Sequence, residues 1–162
     1  MGDRTPLQLR IANCPDDQAR AILEIIDAHD LSVDIDDRPN VLRIGEIYRI
    51  DEIPCKTSEE IANELQEVAP DASWECWEDP KYEWLGDLYR FTPELGLFTV
   101  ECGGEGEPLF TAFEVRHFMA KATAVGGVDL ARSLGELHEQ ALIEKIEQAT
   151  AESSNLTVPT QD

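Results

Sequence analysis

The chain has 162 residues, 42% of them hydrophobic, which fits a single domain with a core of its own. Its 34 Asp and Glu face only 13 Lys and Arg, a formal net charge of −21, so phosphate backbones and anionic headgroups repel it, and direct binding to nucleic acid or to a membrane surface is excluded as a function. No apolar run reaches the roughly eighteen residues that span a bilayer, and the N-terminal segment lacks the apolar stretch of a secretory signal, so a cytoplasmic location is expected.

Residues 7–14, LQLRIANC, alternate in polarity and read as a strand with Leu7, Leu9 and Ile11 on one face. Pro15 then stands where a first helical residue belongs, and Asp16 and Asp17 suit the positive end of a helix dipole. Ala19, Ile22, Leu23 and Ile26 follow the helical period, predicting an amphipathic helix over 15–29 that the acidic connection 30–40 ends. Residues 41–55, VLRIGEIYRIDEIPC, are extended and β-branched, with a bulge or turn at Gly45. A second helix follows over 56–68. Thr57 and Glu60 have capping-box spacing there, and Ile61, Leu65 and Val68 make its buried stripe. Strand-then-helix thus occurs twice, a weak repeat of layout.

After Pro70 come three short strand candidates, in 73–80, 84–94 and 96–106, joined by connections too short for crossovers. An antiparallel three-stranded meander over 74–102 is expected. Thr111 and Glu114 form a second capping box, Phe110 can staple onto Val115, and Phe118, Met119 and Ala122 continue an apolar helix face. AVGGVD, residues 124–129, breaks that helix. A last one over 129–149 carries Leu130, Leu134, Leu137 and Ala141, and the aperiodic residues 152–162 read as a disordered tail to a domain of residues 1–151. The order β-α-β-α-β-β-β-α-α gives an α+β fold, helices packed on one face of a mixed sheet.

All three tryptophans lie in WECWEDPKYEW, residues 74–84. As a strand it places Trp74, Cys76 and Glu78 on one face and Glu75, Trp77 and Asp79 on the other. Burying a large apolar side chain is worth about 1.5–3 kcal/mol, so Trp74, Tyr89, Phe91, Phe98 and Val100 are assigned to the core. Trp77, among carboxylates, is expected on the surface. With Tyr82 it would hold a guanidinium or ammonium, the carboxylates of Glu75, Glu78, Asp79, Glu83 and Asp87 completing an acidic ridge. The alternative is that the second or the C-terminal helix covers Trp77.

Other chemistry is set aside. GGEG, residues 103–106, lacks the lysine of a phosphate loop and carries carboxylates instead, so it reads as a turn. DIDD, residues 34–37, is followed by Arg38 and Pro39 where a calcium loop needs a ligand and an approach to glycine. Cys14, Cys55, Cys76 and Cys102 include no C-x-x-C pair, and His29, His117 and His138 show no metalloprotease spacing, so no metal or other cofactor is expected. Cys14 and Cys55 each precede a predicted helix. On parallel neighbouring strands both thiols would emerge at one sheet edge, which leaves a small thiol enzyme as one alternative. A second alternative is acidity serving only solubility or salt adaptation. The principal expectation is a non-catalytic protein binding a basic protein partner. In its sharpest form it is a DNA-mimic inhibitor of a nucleic-acid-binding protein, since duplex DNA carries one charge per about 1.7 Å, and an excess near twenty equals about ten base pairs.

Overall fold

A computed structural model describes residues 3–33, 40–125, 127–151 and 156–158. The alternating N-terminal segment becomes β1 (Arg4–Asn13), with Thr5, Leu7, Leu9 and Ile11 turned inward. It is followed, after a short 3-10 turn, by α1 (Ala19–Ala28), which buries Ala19, Ile22, Ile25 and Ile26. Then come β2 (Val41–Leu42), β3 (Ile47–Pro54) and α2 (Thr57–Val68). The expected meander is present as β4 (Ser73–Glu78), β5 (Gly86–Thr92) and β6 (Gly96–Cys102). The five long strands form one sheet in the order β3-β1-β4-β5-β6, giving an α+β fold.

Every pairing in that sheet is antiparallel, not mixed. The reason lies in the connection between α1 and β3. Ser32 forms an antiparallel bridge with Arg49 of β3. The chain then continues on, with the Gly45 N–H donating to the Ile11 carbonyl at 2.8 Å, and enters β3 from the end at which β1 finished. Cys14 and Cys55, at the C-terminal ends of antiparallel neighbours, therefore lie at opposite ends of the sheet.

The helices occupy both faces, not one. α1 and α2 cover the face of Leu7, Leu9, Ile11, Trp74 and Cys76, where Trp74 stacks on Phe91 at 5.7 Å. The opposite face carries a second apolar cluster of Trp77, Leu88 and Cys102 with Ile47, Phe98 and Val100 packed against it. That cluster needs its own cover. α5 (Glu136–Ala151) supplies it along β1 and β5.

α3 (Ala112–Val125) starts with the predicted box, the Glu114 N–H donating to Thr111 Oγ1 and the Thr111 N–H to Glu114 Oε1, both at 3.1 Å. α3 ends at Val125, inside AVGGVD as expected, and α4 (Gly127–Ser133) follows. A further break, which the sequence reading did not anticipate, falls at Gly135, with φ +77° and the Phe98 ring where a Cβ would stand. The position has no room for a side chain, so glycine there separates α4 from α5. Within the stretch expected to be a disordered tail, Leu156–Thr157 form β7, which pairs with β2 while Val158 is buried on the first core. Leu156 and Val158 alternate like any half-buried strand, over too few residues to show a period. The DIDD stretch, residues 34–37, lies outside the described residues, as do Arg38 and Pro39.

Candidate functional site

The acidic ridge read around Trp77 does not form as one surface. Trp77 is 6% exposed. Its indole faces the α5 side of the sheet, in a cleft of about 200 Å³ whose walls include Leu142, Ile143 and Ile146. The GGEG turn closes over it: Gly106, at φ +76°, is so near that a Cβ there would stand 3.0–3.1 Å from the ring atoms. The alternation of β4 was read correctly. What it could not show is that a helix sixty residues on, and a glycine turn, cover the second face.

Glu75 shares that face and is committed internally. It stands in register between Arg10 of β1 and Arg90 of β5. Its Oε1 takes Arg10 Nη1 and its Oε2 takes Arg90 Nε, each at 3.3 Å, with only 14% of its side chain exposed. Arg90, buried, also donates to the Gly135 carbonyl at 3.3 Å. The carboxylate thus neutralises two cross-strand cations that burial would otherwise penalise. Arg10 lies 5.9 Å from the centre of the Trp77 ring, so the expected cation–aromatic contact exists, but inside the protein.

Glu78, on the opposite face, is 3% exposed. It accepts the backbone N–H groups of Lys56 at 3.1 Å and Ser58 at 2.8 Å, at the start of α2. The capping box expected of Thr57 and Glu60 is not made. Thr57 already lies within the helix and donates its hydroxyl to the Pro54 carbonyl, while Lys56, at φ +78°, offers no side-chain cap. Glu78 supplies the cap from across the sheet.

What remains outside is the loop between β4 and β5. Asp79 roots it: its N–H donates to the Pro6 carbonyl at 3.0 Å and its own carbonyl accepts the Thr5 hydroxyl at 2.8 Å. Burial pushes the Asp79 carboxyl up from the usual range. Lys81 and Trp84 exchange reciprocal backbone hydrogen bonds at 2.9 Å, closing a tight turn. Tyr82 sits at its tip with φ +54° and 84% of its surface exposed, Lys81 Nζ lying 5.1 Å from its ring centre. Trp84 is 62% and Leu85 49% exposed. Glu83 is exposed, and Asp87 holds Lys56 at 2.8 Å just beyond. Leu109 and Phe113, also exposed, follow β6 at this same end of the sheet. Trp84 and Leu85 escaped the sequence reading because they were placed in the strand, which begins only at Gly86.

The surroundings of all four thiols disfavour the thiolate. Burial pushes Cys14 up to about 12, aided by Asp17 and Asp16, and raises Cys55, with Glu78 and Asp3 adding to it. Cys102 is likewise pushed to about 12 by burial, and Cys76, fully buried, is raised well above the ordinary thiol. A thiolate at neutral pH is what thiol chemistry requires. His138 is buried against Phe98 with Nε2 3.1 Å from the Gly96 carbonyl.

A five-stranded antiparallel sheet clad by helices on both faces, with an exposed aromatic loop at one end, makes this an acidic α+β protein. The chain belongs to the family described as "Protein of unknown function (DUF3145)", whose model matches residues 51–158 and so takes in Glu78, the aromatic loop and α5. No curated protein and no solved structure matches it. Among the described residues, no helix is long and apolar enough to cross a membrane.

Proposed function

We propose that the protein is a non-catalytic interaction protein whose aromatic loop, set in an acidic surface, docks a basic protein partner. The observation that carries this reading is the exposure of Tyr82, Trp84 and Leu85 in a hydrogen-bonded turn. A bulky residue at positive φ is strained by about 1–2 kcal/mol, and each large side chain left in water forgoes about 1.5–3 kcal/mol of burial. Both costs fall on one loop, and tyrosine and tryptophan are the residues on which interface energy concentrates. Glu83, exposed beside the aromatics, suits arginine or lysine on the partner, while the net charge of −21 steers a basic protein toward the surface. The docking surface is therefore Tyr82, Glu83, Trp84 and Leu85, with Asp79 rooting the loop, Asp87 paired to Lys56 at its edge, and Glu75, Trp77 and Glu78 acting inside the fold. The raised thiols weigh against an enzyme working through Cys14 or Cys55.

The test is capture from the native host with wild type and with the double variant Tyr82→Ser/Trp84→Ser. Wild type should retain a basic protein at 0.1 M salt and release it at 1 M, where the Debye length falls from about 10 Å to about 3 Å. The variant should lose that protein with its thermal midpoint nearly unchanged. Trp84 is the exposed tryptophan, Trp74 and Trp77 being buried, so its fluorescence should become shielded from acrylamide when the partner is added. An unchanged set of captured proteins would refute the reading.

A further inference from the structure

We infer that His29, Glu60 and Glu64 form a binding site for one divalent transition-metal ion of the zinc class. His29 is the residue on which α1 ends, its N–H donating to the Ile25 carbonyl at 3.1 Å. Glu60 and Glu64 stand one turn apart on α2, flanking buried Ile61 on a helix packed against α1. The fold thus brings an imidazole to two carboxylates that are thirty-one and thirty-five residues away in sequence. His29 Nε2 lies 3.1 Å from Glu64 Oε1, and one ligand atom from each of the three residues falls within 4.8 Å of the others. Two ligands of a tetrahedral zinc ion, each at about 2.0–2.1 Å, stand about 3.3 Å apart. His29 and Glu64 already have that separation. Glu60, exposed on the preceding turn of α2, brings a carboxylate oxygen within the same 4.8 Å.

The donor set decides the class of ion. Calcium and magnesium take oxygen ligands throughout, whereas an imidazole with carboxylates suits zinc and its neighbours in the transition series. Three protein ligands leave a fourth position for water. The two carboxylates balance the ion's charge, and the negative end of the α1 dipole faces the same place. A His29–Glu64 ion pair by itself does not require Glu60, so the third carboxylate separates the two readings. Bound metal would cross-link α1 to α2 and stabilise the folded chain by mass action.

The test is a calorimetric zinc titration of the full-length protein, stripped of metal, at neutral pH in millimolar magnesium to fill weak oxygen sites. One ion per chain should bind with a micromolar or tighter dissociation constant and raise the thermal midpoint. His29→Ala and Glu64→Gln should each weaken binding at least tenfold, Glu60→Gln should weaken it less, and His117→Ala should leave it unchanged. If either ligand variant fails to fold, the wild-type His29 ring resonances decide, because zinc must shift them. The cobalt form should show visible bands without thiolate charge transfer. Binding that magnesium abolishes, that survives His29→Ala, that Glu60→Gln leaves unchanged, or that carries a thiolate band would overturn the assignment.

Discussion

Replacing Glu78 probes how this fold is held, because a carboxylate in an acidic stretch proves to be a helix cap. Its two oxygens accept the N–H groups of Lys56 and Ser58, and α2 has no side-chain cap of its own. A hydrogen bond to a charged group contributes about 1.5–3 kcal/mol, and loss of an N-cap typically costs about 0.5–2 kcal/mol. Against these stands the cost of burying the carboxylate, several kcal/mol that alanine relieves. The terms partly cancel, and Glu78→Ala is expected to destabilise by about 2 kcal/mol. Glu78→Gln, which keeps shape and one acceptor, should cost about half as much. Urea unfolding with chelator present measures both. With a slope of about 2 kcal/mol per molar urea, the alanine variant should shift its midpoint by about 1 M. Glu60→Ala in the same buffer should change stability by less than about 0.5 kcal/mol, since that side chain caps nothing. A costly Glu60→Ala beside a neutral Glu78→Ala would mean that the helix is capped locally, and the account of Glu78 would be wrong.

The thiols should resist alkylation in the native state at neutral pH, Cys55 reacting first and Cys76 last; rapid stoichiometric labelling of Cys14 or Cys55 would restore the enzyme reading. Burial lowers the His138 pKa, so the unfolded chain binds more protons below the ordinary histidine value of about 6.5, and stability should fall with pH through that window. His138→Gln should remove that component, and identical pH profiles would refute the assignment. Gly106→Ala should cost more than Gly96→Ala in a thermal melt: both have positive φ, but only the first Cβ meets the Trp77 ring, whereas nothing lies within 4 Å of the second. Equal losses would show that Gly106 is needed for its backbone alone.

Local signals were legible where a single element settles them. The pleat of β1 and β4, the meander and the Thr111–Glu114 box follow from alternation, turn residues and capping chemistry within a few positions. Properties that depend on where distant segments pass were not. The antiparallel return of β3 depends on Ser32 and Gly45 reaching back to neighbouring strands. Trp77 is covered by α5 and Gly106, and Glu78 finds its partners twenty and more residues upstream. His29 meets Glu60 and Glu64 only because α1 packs on α2. In each case the missing term is tertiary, and no period along the chain encodes it.

The same geometry bears on what the acidity is for. The chain has 13 basic side chains, and its own carboxylates hold several of them: Arg10 and Arg90 at Glu75, Lys56 at Asp87, Arg43 at Glu46 and Lys145 at Glu94. Pairing removes charges of both signs, so it leaves the excess of −21 untouched and makes the unpaired remainder more uniformly negative. A surface evolved only for solubility has no reason to carry bare tyrosine and tryptophan at a constrained tip, because such residues work against solubility. A docking surface for a basic protein has reason for both: the field brings the partner in, and the aromatics hold it once water is displaced. Tyr82 and Trp84, more than the count of carboxylates, are what separate those two explanations.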